Sequence, residues 1–132
     1  MSPLAAPVLL DTSVLVDHLR GHPPAQVALY DLLTADGAVY VSVLSAAEVR
    51  RGLRPRQARA WGRLAEQLTW LPVDLGIAEA AGELAAAYRG SHSGIDLVDM
   101  ILAATAQSLG AALWTRNVRH FPMFTGLQPP YA

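Results

Sequence analysis

Four acidic residues carry the chemical interest of this 132-residue chain: Asp11, Glu48, Asp96 and Asp99. Asp11 closes the apolar run Val8-Leu9-Leu10 and is followed by Thr12-Ser13, which predicts a short, doubly buried strand of a parallel sheet. Ligands of open α/β sheets bind outside the carboxyl ends of such strands, so Asp11 is delivered to the edge where chemistry collects. Glu48 follows a second run rich in Val and Tyr. It reads either as a site carboxylate or as the closing residue of a capping box, Ser45-Ala46-Ala47-Glu48. Asp96 and Asp99 are three apart and share one helix face, where Asp96 also fits an N-cap. Asp99 has almost entirely apolar neighbours, so its carboxylate is either compensated by the helix dipole or held for function. Thr115-Arg116-Asn117 leaves the last apolar strand at the same edge, as an ordinary turn or as further polar groups of the site.

Carboxylates gathered at one sheet edge repel one another, and a hard divalent cation removes that cost. The chain has no cysteine and no clustered histidines. Ligation by oxygen alone points to Mg²⁺ or Mn²⁺ rather than zinc.

The elements that must position these groups alternate between strand and helix. Residues 1–7 read as a loose leader to a single domain spanning 1–132. The first strand is followed by a helix from about Thr12 to Leu19, capped by Thr12 or Ser13, and by a second from Ala25 to Ala35 after the Pro23-Pro24 break. A strand over Ala38 to Leu44 comes next, then helices over Ser45 to Leu53 and Arg56 to Leu68. A strand over Trp70 to Val73 leads to a helix over Gly76 to Tyr88 and a loop over Gly90 to Gly94. The most apolar helix, Ile95 to Leu109, precedes a strand over Ala111 to Thr115, with a marginal edge strand near Thr125 to Leu127. This order implies right-handed crossovers and an α/β/α fold of three layers, with a central, mostly parallel sheet of four or five strands.

Hydrophobic content of 52% and a mean hydropathy of +0.27 are high for a small domain, and imply an apolar surface that pairs with something. No segment reads as a signal peptide. The longest uncharged run, Met100 to Thr115, is interrupted by polar residues and falls short of the roughly 18 to 20 needed to span a bilayer. A cytoplasmic protein is expected. Net charge is −1, yet Arg50, Arg51, Arg54, Arg56, Arg59 and Arg63 crowd one short stretch. Two readings stand there: a solvated helix face, or a patch that tracks phosphates.

Taken together, Leu-Leu-Asp11-Thr-Ser, Ser-Ala-Ala-Glu48-Val-Arg-Arg-Gly, Ile-Asp96-Leu-Val-Asp99-Met-Ile-Leu-Ala-Ala and Trp-Thr115-Arg116-Asn117-Val-Arg-His120-Phe121 resemble the PIN-domain ribonucleases, and more narrowly the VapC toxins of toxin-antitoxin pairs. The resemblance covers about residues 8 to 127. It implies that Asp11, Glu48 and Asp99 are the core acidic residues around Mg²⁺, with Asp96 at a position that is often acidic. Asn117 falls where many relatives carry a further Asp, so a tightly held second metal is in doubt.

On this reading the chain is a metal-dependent endoribonuclease that cleaves structured RNA. The resemblance further implies a homodimer and a VapB-like antitoxin that enters the acidic cleft. Asp11 and Asp99 would ligate metal, Glu48 would ligate it or orient the attacking water, and Asp96 and Asn117 would complete the cage. Thr115, Arg116 and Asn117 would face substrate, as would Arg50, Arg51 and Arg54 if the arginine stretch tracks phosphates. The alternative from another class is a non-catalytic module of the same fold acting with an antitoxin on operator DNA. An aspartyl-phosphate phosphatase is disfavoured, since Ser13 stands where a second Asp would be expected.

Overall fold

The computed structural model describes residues 6–90 and 96–132. Its centre is β1 (Val8–Leu10), three buried residues whose side chains alternate between the two faces of the sheet. Leu10 joins a core formed with Val14, Leu15, Leu29, Val41, Val49, Trp61 and Leu64, whereas Leu9 joins Leu102, Ala103, Ala106, Leu113 and Phe121. A strand flanked by helices on both faces has no solvated side, which is why its sequence is unbroken apolar.

Helix α1 (Thr12–Leu19) leads into α2 (Pro23–Thr34), then β2 (Val39–Ser42) and α3 (Val43–Gly52). A 3₁₀ turn over Pro55–Gln57 precedes α4 (Ala58–Glu66), β3 (Thr69–Leu71) and α5 (Leu75–Tyr88). Helix α6 (Leu97–Leu109), β4 (Ala112–Trp114) and a 3₁₀ turn over Val118–His120 complete the described elements. The four strands are parallel in the order β3-β2-β1-β4. The chain winds outward from β1 through β2 to β3, then returns to place β4 on the other side of β1. Winding direction therefore reverses beside β1, and the crevice at the carboxyl ends of β1 and β4 is the binding position that such a reversal creates.

Local chemistry explains where the boundaries differ from expectation. Helix α2 starts at Pro23 rather than Ala25, because prolines fit the first helical turn, where no intrahelical N–H is required. Strand β2 ends at Ser42, whose Oγ accepts the Leu44 N–H at 3.2 Å and starts α3 two residues earlier than Ser45. Helix α1 is capped by Asp11 without a side-chain hydrogen bond, not by Thr12 or Ser13. The described residues hold four strands, and Thr125 to Leu127 is not one of them: Thr125 and Gly126, at φ +76°, form a turn and Leu127 is irregular. Most of the expected leader, the loop to Gly94 and the helix start at Ile95 lie outside the described residues. Helix α6 ends where Gly110 adopts a left-handed φ of +61°, releasing the chain into β4. Among the described residues no helix is long and apolar enough to cross a membrane.

Candidate functional site

Asp11 emerges from β1 at the N-terminus of α1 and is 5% exposed. Its Oδ2 accepts two hydroxyl hydrogens, from Ser13 and from Thr115, each at 2.7 Å. Both donors are themselves fixed. Arg116 N–H donates to Ser13 Oγ at 3.1 Å, and Asn117 N–H to Thr115 Oγ1 at 3.0 Å. The exit from β4 is thereby fastened to the exit from β1, and the other Asp11 oxygen accepts no hydrogen bond among the described residues.

Glu48 lies in the sixth position of α3, so the capping box read from Ser45 does not form. Its Oε1 accepts the Thr12 hydroxyl at 2.6 Å. Thr12 also lies 2.9 Å from the buried Ser45 Oγ. A hydroxyl has one hydrogen, and the carboxylate is the stronger acceptor, so Ser45 donates to Thr12 while Thr12 donates to Glu48.

Asp96 is the N-cap of α6 and accepts the Asp99 N–H on Oδ1 at 2.9 Å. Capping and cleft lining coincide here, because the residue is exposed at the rim. Asp99 occupies the first turn, where the helix dipole favours a negative charge. Burial and then the charge of Asp96 nevertheless push its carboxyl up to about 6, with Asp11 adding to the rise and His120 opposing it. Its Oδ2 is a buried oxygen lacking an aligned hydrogen-bond donor, although His120 Nδ1 approaches to 3.1 Å.

Asp11, Glu48, Asp96 and Asp99 thus line one cleft of about 410 Å³, together with Arg116 and Asn117. No three acidic or histidine side chains among the described residues are close enough to form a finished cation cage. The donor set still fits a hard divalent cation: of the five carboxylates lining the cleft Asp17 is taken up by Arg116, which leaves four, with a free oxygen on Asp11 and a buried, unsatisfied one on Asp99.

Residues 8–122 match the family described as PIN domain. The chain belongs to the PIN domain family. This PIN domain is 46% identical over 123 residues to ribonuclease VapC19 of Mycobacterium tuberculosis, covering 93% of this chain and 98% of the relative. Ribonuclease VapC10 of the same organism is 41% identical over 128 residues, covering 95% and 93%. A solved toxin-antitoxin complex from Klebsiella pneumoniae superposes with a TM-score of 0.76 at 28% identity, covering 94% of this chain and 98% of that one.

The geometry redistributes several expected roles. Thr115 is fully buried, and its hydroxyl donates to Asp11. Arg116 lines the cleft and is held by Asp17, with Nη1 at 3.0 Å from Oδ2. Tyr131 donates to the same Asp17 oxygen at 2.7 Å, and the Arg116 guanidinium sits 5.2 Å from its ring centroid. Arg51 and Arg54 line a neighbouring cleft, whereas Arg50 lines neither. Sequence reasoning missed the roles of Ser13, Ser45, Asp17, His120 and Tyr131. For Ser13 the signal was present, since a hydroxyl two residues after a strand-end Asp can reach back to it.

Proposed function

We propose that this PIN domain is a Mg²⁺-dependent endoribonuclease and the toxin of a type II toxin-antitoxin pair. The observation that carries this reading is four carboxylates besides the Arg116-paired Asp17 on one cleft, in a chain 46% identical to a ribonuclease. Asp11, Asp99, Glu48 and Asp96 would hold the cation, with Mn²⁺ as a substitute. A cation bound by these residues supplies positive charge for the scissile phosphate and makes water more acidic.

The protein's own groups then have separable tasks. Ser13 and Thr115 fix Asp11 so that its free oxygen faces the cleft. Thr12 holds one oxygen of Glu48, leaving the other to orient the attacking water. Arg116 places a guanidinium at the rim for a substrate phosphate, and Asn117 offers a neutral amide where more negative charge would repel RNA. The substrate is structured RNA, and the setting is cytoplasmic.

A VapB-like antitoxin is the expected partner, supported by the 28% identity to the Klebsiella pneumoniae complex. A homodimer is supported by the apolar residues left exposed, among them Val27, Tyr30, Leu75 and Leu97.

The test is incubation of the purified chain with a pool of folded RNA, with and without Mg²⁺, and with Asp99→Asn as control. Cleavage that needs both the cation and Asp99 is expected. Persistent cleavage by Asp99→Asn would remove the proposed site, and no cleavage by the wild type would leave the non-catalytic module acting on operator DNA.

A further inference from the structure

A second cleft, of about 500 Å³, opens between α1, α3 and the 3₁₀ turn at Pro55–Gln57. It shares Val16, Arg20 and Glu48 with the acidic cleft, so the two adjoin along those residues. Four guanidiniums, Arg20, Arg51, Arg54 and Arg56, line it against the single carboxylate of Glu48. All four are exposed, and none is ion-paired among the described residues. The lining also has an apolar part: Val16, Leu19, Val49 and Leu53. The wall is tied together by Gln57, which accepts the Arg54 N–H on Oε1 at 2.9 Å and donates from Nε2 to the Leu19 carbonyl at 3.2 Å.

We infer that this arginine-lined cleft seats the single-stranded RNA segment adjoining the scissile phosphate. The inference rests on the ribonuclease reading above. One cleft pairs two chemistries. Unpaired guanidiniums bind phosphates bidentately and stack on bases, and apolar side chains beside them accept the faces of bases. Nucleic acid offers anionic and flat apolar groups in regular alternation, whereas an acidic peptide would satisfy the arginines and leave the apolar lining uncovered. The shared residues also set a direction. A strand lying in the cationic cleft runs past Arg20 and Glu48 into the carboxylates, so the next phosphate arrives where the chemistry is placed.

The test compares two double variants that remove equal charge. Arg51→Gln with Arg54→Gln empties the cleft wall; Arg59→Gln with Arg63→Gln removes two arginines of α4 that line neither cleft. Binding of a fluorescent single-stranded oligoribonucleotide is measured in EDTA, which stops metal-dependent cleavage, across a range of KCl. The cleft variant is expected to bind at least tenfold more weakly at low salt. Its slope of log affinity against log salt should fall by about 1.4, at roughly 0.7 for each phosphate no longer neutralised. The α4 variant should stay within about twofold of wild type, and thermal melts should match for all three proteins.

Equal losses in the two variants, or none in the cleft variant, would overturn the inference. So would a polyglutamate peptide that displaces the RNA as well as unlabelled RNA does. Wild-type cleavage in Mg²⁺ is measured alongside. If the wild type cleaves while both variants bind RNA alike, the cleft assignment falls alone; if the wild type does not cleave, the ribonuclease reading falls first.

Discussion

Asp99 bears a conflict, a carboxyl raised by burial and by Asp96 with a buried oxygen that finds no aligned donor. A carboxyl whose folded pKa exceeds its unfolded value stabilises the fold when protonated, and that contribution is lost as pH rises through the folded value. Its window here runs from the ordinary value of 3.8 to about 6. Asp99→Asn should therefore raise the melting temperature of the protein in EDTA, by more at pH 7 than at pH 4; a strongly lowered melting temperature would assign Asp99 to structure. Thr115 makes a contrasting case. Removing its hydroxyl in Thr115→Val takes a donor from Asp11 and an acceptor from the Asn117 N–H. By analogy with residues that orient metal ligands, cleavage should fall about 10- to 100-fold, while RNA binding in EDTA changes little. Comparable losses in both assays would refute the orienting role. The sequence made Asp99 conspicuous because a charge in an apolar run needs a reason. It left Thr115 ambiguous, since only the burial and pairing of β4 decide whether its hydroxyl points inward or to solvent.

At the scale of elements, strand and helix order was legible because parallel strands buried on both faces are uniformly apolar and helices here are punctuated by Pro, Gly and Asp. Boundaries were less so. Ser42 rather than Ser45 starts α3, which places Glu48 within the helix and within reach of Thr12. Nothing local announces that the chain end near Tyr131 returns to α1. There its phenol donates to Asp17, which also holds Arg116, and burial followed by the Asp17 contact raises the phenol well above its usual range. It stays neutral and keeps donating at ordinary pH. Tyr131→Phe retains the ring beside Arg116 but frees one side of Asp17. The expected result is a several-fold higher KM for RNA with kcat nearly unchanged, to the same extent at pH 6 and pH 8. A loss confined to kcat would show that this clasp acts on the carboxylates and not through the Arg116 guanidinium.

For the whole molecule, a net charge of −1 conceals two opposite fields side by side, an acidic cleft at the sheet edge and an arginine-lined one beside it. Composition averages that polarity away, and only the folding of α3 against α1 restores it. The ties that complete the acidic cleft are long in sequence: Thr12 to Glu48 spans 36 residues and Thr115 to Asp11 spans 104. Strand β4 forms its ladder with β1, the first strand made. Contacts of such separation form late, and domains acquire them only once the later segments exist. A chain under synthesis that has exposed Asp11 and Glu48 still lacks Asp99 and the hydroxyl of Thr115. The order of translation therefore sets the order of assembly: the acidic cleft closes only after its last-made wall, the exit from β4, has been added to its first.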